Sequence, residues 1–299
     1  MELPLETVPN FSEGRDRATI DALAEALGEH AELLDVHADV DHHRSVFTLI
    51  GTEEELVASL LAGVACAKER IDLRRHEGAH PRIGAADVVP LVPLRPEDMP
   101  RAQRAAKTVA ARMADELDLP VFLYGALAGG VGPAHFRRGG TEELQRRITS
   151  GEVRPDFGPE QLDPGAGGVL VGARGPLIAF NVNLRSADVD VAQAVAKTVR
   201  EAGGGFPGVR ALGLDLPAAG LVQVSMNVEN WEAAALHEIV ARIVEEANRR
   251  GADVAGSELV GLMPAGAAAA AAGSALHIEG FDESHVLELR LLGRVYDRG

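Results

Sequence analysis

The chain has 299 residues, of which 46% are hydrophobic, 25% charged and 4% aromatic, and its formal net charge is −16. This length and balance are typical of a globular protein with one large domain or two ordinary ones. The charge predicts no nucleic-acid partner, because no excess of basic residues remains to neutralise phosphates. The single cysteine, Cys66, excludes internal disulfides and thiolate metal clusters.

The ends and the apolar runs of the sequence carry no membrane or export signal. Residues Met1 to Pro4 include neither a basic nor an apolar region of the kind found in signal peptides. The longest apolar stretch, Ala265 to Ala272, is too short to span a bilayer. We therefore expect a cytoplasmic protein that does not contact membranes.

Hydrophobic periodicity predicts the element order β-α-β-β-α-β in the first part of the chain. The predicted strands are Leu3–Val8, Glu32–Ala38, Ser45–Gly51 and Ala86–Val92, and the predicted helices are Arg15–Gly28 and Thr52–Arg70. A helix at Pro100–Leu117 and a short strand at Val121–Tyr124 follow. The region 125–168 is rich in Gly, Pro and Arg, and it predicts little regular structure beyond a helical patch at Thr141–Thr149.

The same element order returns in the second half of the chain. The predicted strands there are Leu177–Asn181, Val209–Leu214, Leu221–Val228 and Asp253–Leu262, and the predicted helices are Asp188–Ala202, Trp231–Arg249 and Pro264–Ala272. The repeated order predicts an α+β protein with two domains, residues 1–174 and 175–299.

The first strand of each half is expected to end in a strand-to-helix turn that carries polar residues. Asn10 and Ser12 follow the first strand, and Asn181 and Asn183 follow its counterpart in the second half. Free backbone N–H groups at such turns favour a carboxylate or another polar ligand, although an Asn there also serves as a simple helix cap.

Five of the ten histidines fall in two short segments, His37 to Arg44 and His76 to Arg82. One interpretation is a metal site, because His and Asp in neighbouring loops make a plausible ligand set. The spacing of His76 and His80 suits two ligands on one helix face, but Gly78 and Pro81 predict that this segment is not helical.

The other interpretation of these segments is general acid–base catalysis by a histidine, since His changes protonation near neutral pH. Arg44 and Arg82 would then bind carboxylates in the planar bidentate manner of a guanidinium. Asp41 and Asp87 would orient an imidazole or accept an N–H from a ligand. Each arginine on its own is better explained by a surface ion pair, and the two explanations are equally good only when the neighbouring histidines are considered.

The sequence resembles the glutamate formiminotransferase family along nearly its whole length. The matching segments are Val8–Gly14, Arg75–Asp87, Leu123–Gly125, Pro155–Pro159, Gly172–Arg174, Ile178–Asn183, Gln223–Asn227 and Gly256–Leu262. The resemblance implies transfer of a formimino group from N-formimino-L-glutamate to N5 of tetrahydrofolate, which serves as the co-substrate, without a metal. It also implies two ferredoxin-like (βαββαβ) subdomains with a ligand cleft between them, and a homodimer.

The family's functional residues fall on particular positions of this sequence. Its catalytic histidine falls on His80. The substrate-binding positions that we infer around it are Asn10, Ser12, His42, Arg44, Arg82, Asp87, Asn181 and Asn183. The folate contacts fall on Gly158, Pro159, Gly165, Gly167, Gly172, Arg174, Gly208 and Gly213.

This sequence departs from the family pattern at His37 and His43, where an Asp and an Asn are common. Because these loops are expected to touch the substrate, formyl transfer between glutamate and folate stays open as an alternative. Two hypotheses from other classes also stay open: a binding protein without catalysis, and a metal-dependent hydrolase. The hydrolase would use His37, Asp39, His42, His76 and His80.

Overall fold

The computed structural model describes residues 3–290. The outermost residues of the predicted domains 1–174 and 175–299, namely 1–2 and 291–299, lie outside the described part. The chain divides into two compact units, an N-terminal unit of residues Pro4–Gly175 and a C-terminal unit from Pro176 onward, to which Leu3 is also assigned. Over residues 3–290, every helix is too short or too polar to cross a bilayer.

The N-terminal unit contains a mixed sheet with helices on both of its faces. Its strands are β1 (Leu5–Thr7), β2 (Asn10–Phe11), β3 (Glu32–Asp39), β4 (Arg44–Gly51), β5 (Ala86–Pro93), β6 (Val121–Gly125) and β7 (Val169–Ala173). Its helices are α1 (Arg17–Gly28), α2 (Glu53–Arg70), α3 (Met99–Leu117), α4 (Pro133–Arg137) and α5 (Gly140–Thr149).

The strands β1 and β2 form one interrupted strand at the centre of an antiparallel group. They lie between β4 and β5, and β3 pairs with the outer side of β4. Beyond β5 the sheet continues with β7 and then β6, and both of these pairings are parallel. The spatial order is therefore β3-β4-β1/β2-β5-β7-β6.

Side-chain alternation along the strands produces two cores, one on each face of this sheet. On one face, Val169 and Val171 of β7 belong to the main core, to which α1, α2 and α3 contribute. On the opposite face, Leu170 joins a smaller core with Phe136 of α4 and Leu144 of α5. The second core fixes α4 against the sheet.

The C-terminal unit repeats the order strand-helix-strand-strand-helix-strand. Its elements are β8 (Ile178–Arg185), α6 (Val189–Val199), β9 (Val209–Leu216), β10 (Leu221–Val228), α7 (Leu236–Asn248), β11 (Asp253–Val260) and α8 (Ala265–Leu276). All pairings are antiparallel, in the order β11-β8-β10-β9. Its own core packs Val182 and Val224 of the sheet against Val195 and Ile243 of the helices.

The structure corrects three of the sequence-based predictions. The strand β7 and the helix α4 lie where the sequence predicts loop or no element. Asn181 and Asn183 lie inside β8, which runs on to Arg185, and Asn10 belongs to β2. The strand-to-helix turns predicted at these residues are therefore wrong, and the helix caps are Asp16 and Asp188 instead.

Candidate active site

A β-bulge in β5 places Asp87 at the centre of a polar group. Asn10 of β2 pairs with Val88, but the next residue, Phe11, pairs with Ala86, so that Asp87 is one residue extra on β5. A bulge of this kind redirects a side chain away from the regular alternation. The Asp87 side chain is completely buried, and its Oδ1 accepts a hydrogen bond of 2.8 Å from the amide of Ile83.

Arg44, the first residue of β4, connects Asp87 with Asn10. Its Nη1 donates to Asp87 Oδ2 at 2.8 Å, and its Nε and Nη2 both donate to Asn10 Oδ1, at 2.9 and 2.7 Å. The asparagine is oriented in turn by a 2.7 Å bond from its Nδ2 to the carbonyl of Val8. Strand pairing thus brings three of the predicted substrate-binding residues into one network.

The imidazole of His80 lies directly against this network. Its Nδ1 is 3.0 Å from Arg44 Nη1 and 2.8 Å from the carbonyl oxygen of Pro81. A carbonyl only accepts and a guanidinium only donates. A protonated Nδ1 therefore donates to the Pro81 carbonyl, and an unprotonated Nδ1 accepts from Arg44. In the neutral ring, Nε2 carries the proton whenever Nδ1 does not. Both neutral tautomers of His80 have a hydrogen-bond partner ready.

Charge and burial keep His80 neutral. Burial lowers the pKa of His80 well below its ordinary value of 6.5, and the positive charges of Arg44 and Arg137 lower it further, against the opposing effect of the Pro81 carbonyl. Burial alone would raise the pKa of Asp87, but Arg137 and Arg44 hold it below its usual value. The site therefore pairs a neutral imidazole with an ionised carboxylate.

The loop that carries His80 is held against the turn between β3 and β4. Arg82 donates to the backbone carbonyls of His80, at 2.6 Å, and of His42, at 3.1 Å. Gly78 lies so close to this turn that a Cβ there would be 2.5 Å from the carbonyl oxygen of His42. Arg82 thus fastens two loops together through their backbones, which differs from the carboxylate-binding role that the sequence suggests. Burial lowers its pKa to about 10.

The remaining histidines of these loops form a second group beside His80. The rings of His43 and His76 stack with their centroids 3.9 Å apart, and His43 Nε2 lies 3.1 Å from Glu13 Oε1. His42 is buried, and its ring centroid is 6.0 Å from that of His80. Residues 71–80 form only a short 3-10 turn that ends at Arg75, which confirms that His76 and His80 do not share a helix.

The donors of a metal site do not converge in the described part of the chain. Over residues 3–290, no group of three or more His, Cys, Asp or Glu side chains is placed to hold a metal ion. Instead, guanidinium groups lie against the imidazoles: Arg82 Nη1 is 2.6 Å from His76 Nε2, and Arg44 Nη1 is close to His80. Each of these cations would oppose a metal ion at the same ring.

Some of the inferred substrate residues have other partners. The hydroxyl of Ser12 donates to the carbonyl of Gly84 at 2.7 Å, a bond between buried groups. In the C-terminal unit, Asn181 Nδ2 donates to Glu258 Oε2 at 3.0 Å, and Asn183 Oδ1 accepts from Gln223 Nε2 at 2.8 Å. Both asparagines thus belong to a row of amide and carboxylate groups on one face of the sheet.

Close backbone packing explains several glycines that the resemblance assigns to folate binding. A Cβ at Gly158 would be 2.3 Å from the carbonyl oxygen of Leu119, and a Cβ at Gly167 would be 2.1 Å from that of Ile83. One at Gly172 would be 2.6 Å from the Tyr124 ring, and one at Gly213 would be 2.2 Å from the amide nitrogen of Gln193. A backbone that packs this tightly requires glycine whether or not a ligand binds there.

The other positions assigned to folate lie in turns and at strand ends. Gly165 N–H donates to Asp163 Oδ1 at 2.8 Å, and Arg174 Nη1 donates to the carbonyl of Gly175 at 3.0 Å. Gly208 has a φ of +67°, and Pro159 directly follows Gly158. The N-terminal unit holds Gly158 to Arg174, and the C-terminal unit holds Gly208 and Gly213.

Arg137 is a site residue that the sequence does not reveal. It lies at the end of α4, and its Nη2 donates to the same Asp87 Oδ2 that Arg44 contacts. The segment around it has no hydrophobic periodicity, and Pro133 at the first turn of α4 is the one local sign of a helix. Two guanidiniums thus share one carboxylate oxygen next to His80.

A neutral imidazole beside buried guanidiniums, on an α+β scaffold, has the chemistry for proton transfer and for binding an anionic group. Comparison with known proteins gives the family. Residues 4–174 match the formiminotransferase domain, N-terminal subdomain, and residues 179–287 match the formiminotransferase domain. The chain belongs to the formiminotransferase family, and the family is one of transferases.

Relatives from distant organisms match nearly the whole chain. The glutamate formimidoyltransferase of Streptococcus pyogenes serotype M1 is 39% identical, over 97% of this chain and 99% of the relative. The glutamate formimidoyltransferase of Thermoplasma acidophilum is 36% identical, over 96% and 97%. The formimidoyltransferase-cyclodeaminase of Sus scrofa is 39% identical over 87% of this chain, which corresponds to 50% of the longer relative.

Proposed function

We propose that this protein is a glutamate formimidoyltransferase, which moves the formimino group of N-formimino-L-glutamate to N5 of tetrahydrofolate. The proposal rests on the family membership and on the full-length relatives of that name. The observation that supports a mechanism is the neutral imidazole of His80, whose Nδ1 lies within hydrogen-bond distance of both the Pro81 carbonyl and Arg44. The protein would act in the cytoplasm, as a homodimer, with tetrahydrofolate as co-substrate and no metal.

The strand order within each unit supports the proposal of two ferredoxin-like subdomains, residues 1–174 and 175–299. The proposal that the ligands lie in a cleft between them rests on the family resemblance alone. In each unit the four strands of the βαββαβ order are arranged so that the first strand lies between the third and the fourth. In the N-terminal unit these strands are β1/β2, β3, β4 and β5, and in the C-terminal unit they are β8, β9, β10 and β11. The parallel strands β7 and β6 extend the N-terminal sheet beyond this order.

The transfer requires a proton to leave one nitrogen and reach another. Attack of N5–H on the formimino carbon gives a tetrahedral intermediate with a proton on N5, and the glutamate nitrogen leaves only after it gains one. Because the pKa of His80 is well below 6.5, its imidazole begins neutral and acts first as a base toward N5–H. The imidazolium that forms faces Arg44, so it is a strong acid and releases its proton to the glutamate nitrogen.

The surrounding residues would orient His80 and bind the substrates. Asn10, Arg44 and Asp87 keep the network rigid and set the charge beside the imidazole. The inferred folate positions, Gly158, Pro159, Gly165, Gly167, Gly172, Arg174, Gly208 and Gly213, and the substrate positions Ser12, His42, Arg82, Asn181 and Asn183, remain part of the proposal.

The direct test is a single-turnover assay with tetrahydrofolate and either formiminoglutamate or formylglutamate. We expect 5-formiminotetrahydrofolate from the first donor. In His80→Ala the rate should fall about 10²–10⁴-fold, the usual contribution of a general acid–base residue, while tetrahydrofolate affinity is unchanged. The matched control is His30→Ala, since His30 is exposed in the turn that follows α1. Full activity of His80→Ala would contradict the role of His80.

The same assay and three further measurements decide between the alternatives. Faster turnover of formylglutamate would favour formyl transfer on the same scaffold. Loss of activity after chelation, restored by a metal, would favour the hydrolase. Saturable folate binding in calorimetry without any product would favour a binding protein. Light scattering at several concentrations tests the homodimer.

A further inference from the structure

Arg137 has more hydrogen-bonding capacity than its surroundings use. It donates through Nη2 to Asp87 Oδ2, and its side chain is only 15% exposed. Its Nε lies buried and has no hydrogen-bond partner among residues 3–290. A buried N–H without a partner is costly, and each such group in a native structure calls for an explanation, such as a water, an ion or a bound ligand.

The charges around Arg137 are unbalanced in favour of an anion. Arg44 and Arg137 share the single carboxylate of Asp87, two positive charges against one negative, and the side chain of Arg44 is 11% exposed. His80 beside them is neutral, and Asn10 adds no charge. This positive excess stands out in a chain with a net charge of −16. A carboxylate is the group that a guanidinium with a free donor binds best.

We propose that Arg137 is a specificity-determining residue that binds a carboxylate of the amino-acid donor through its unused donors. The proposal rests on the proposed function, because the donor is taken to be N-formimino-L-glutamate. Asp87 holds the guanidinium of Arg137 in place through Nη2, and the same carboxylate oxygen holds Arg44, which touches His80. The donor carboxylate is thereby bound close to the imidazole that delivers the proton.

A carboxylate reaches this site from either of two sources, the donor or the glutamate tail of the folate. Steady-state kinetics with three substrates separates them. The substrates are formiminoglutamate, tetrahydrofolate and tetrahydropteroate, which lacks the tail. The variants are Arg137→Gln, Arg137→Lys and the matched control Arg138→Gln, whose side chain is 65% exposed and pairs with Glu152 at the surface.

We expect Arg137→Gln to raise the KM for formiminoglutamate roughly 10–100-fold, the effect of a lost hydrogen bond to a charged group. The KM values for both folates should stay unchanged. Arg137→Lys keeps the positive charge but loses the planar guanidinium with its paired donors, so it should raise the KM for formiminoglutamate by a smaller factor. Arg138→Gln should behave like the unmodified protein. Thermal melting shows whether Arg137→Gln is folded, and Arg137→Lys carries the test if it is not.

Three results would overturn the proposal. The first is an unchanged donor KM in folded Arg137→Gln. The second is a raised KM for tetrahydrofolate but not for tetrahydropteroate, which would make Arg137 a reader of the folate tail. The third is a lower kcat with both KM values unchanged, which would mean that Arg137 acts only on His80 through Asp87.

Calorimetry with L-glutamate keeps the two proposals distinguishable. If the unmodified protein does not turn over formiminoglutamate, the proposed function fails. Weaker glutamate binding by Arg137→Gln than by Arg138→Gln would then still support a carboxylate site at Arg137. If turnover is normal and glutamate binding is equal in all variants, the inference about Arg137 fails and the function stands.

Discussion

Asp87 concentrates the electrostatics of the site in one buried carboxylate, which accepts hydrogen bonds from Arg44, Arg137 and the amide of Ile83. Removing the negative charge leaves two guanidiniums facing each other without a counter-ion. Breaking a buried ion pair by changing one partner typically costs about 3–5 kcal/mol.

We therefore expect Asp87→Asn to lower the free energy of unfolding by about 3–5 kcal/mol, measured by urea denaturation at neutral pH. The matched control is Glu116→Gln, because Glu116 pairs with Arg112 at the protein surface. Exposed pairs of this kind contribute little to stability. Equal effects of the two substitutions would contradict the buried ion-pair network.

The low pKa of His80 predicts the acid limb of the pH–rate profile. A histidine whose pKa is lowered stays neutral, and so competent as a base, until the pH falls to that lowered value. The kcat/KM for formiminoglutamate should therefore be flat through pH 6.5 and decline only at more acidic pH. In Arg44→Gln, which removes a neighbouring positive charge, the decline should move to higher pH. A decline in kcat/KM with its midpoint at pH 6.5 in both proteins would contradict the lowered pKa of His80.

At the scale of elements, the sequence predicts best what local chemistry determines. Thr52, where the sequence predicts the start of the second helix, caps α2 and forms a capping box with Glu55, and strand β10 has its predicted bounds. The helix α4 and strand β7 were missed because tertiary contacts create them. Leu170 and Phe136 are far apart in sequence, and they meet only in the smaller core of the N-terminal unit.

The residues of the candidate site were predictable only in part, because tertiary contacts also shape the site. The resemblance selects His80, whereas residue chemistry and position select Arg44, Asn10 and Asp87, and the structure brings these four together. The bulge that turns Asp87 toward Arg44 depends on pairing between β2 and β5, so it leaves no local pattern. Arg137 has no local signal in the sequence, because the segment that carries it has no hydrophobic periodicity.

The glycines of the C-terminal sheet offer a test of packing between elements. Gly213 of β9 lies against α6, where a Cβ would be 2.2 Å from the amide nitrogen of Gln193. Gly213→Ala should lower the free energy of unfolding by about 1–3 kcal/mol, because a helix backbone cannot move aside cheaply. The matched control is Gly256→Ala in β11, which has open space around it. Equal melting temperatures for the two variants would contradict the close contact between β9 and α6.

At the scale of the whole molecule, burial of histidines couples folding to pH. The pKa of His76 is lowered to about 4 by burial and by the charge of Arg82, and that of His80 is lowered too. As the pH falls through 6.5, His76 and His80 become protonated in the unfolded chain but stay neutral in the folded protein. The stability that they contribute is therefore complete above pH 6.5 and is lost as the pH falls toward the lowered values.

We expect the urea midpoint to fall between pH 7.5 and 5.5, a range in which most carboxylates stay ionised in both states. His76→Asn should reduce this fall, because it removes one of the groups that titrate only in the unfolded chain. A fall of the same size in the variant would show that His76 does not contribute.

The bulge at Asp87 also constrains how this chain can change over evolutionary time. On β5, the residues before and after Asp87 serve different cores: Ala86 faces the main core, and Val88 faces the smaller one. Loss or gain of a single codon between Ile83 and Val88 would exchange the two sets of side chains along the strand and withdraw the carboxylate from both arginines. Functional descendants of this gene should thus keep the length of that interval unchanged, together with Asp87 itself.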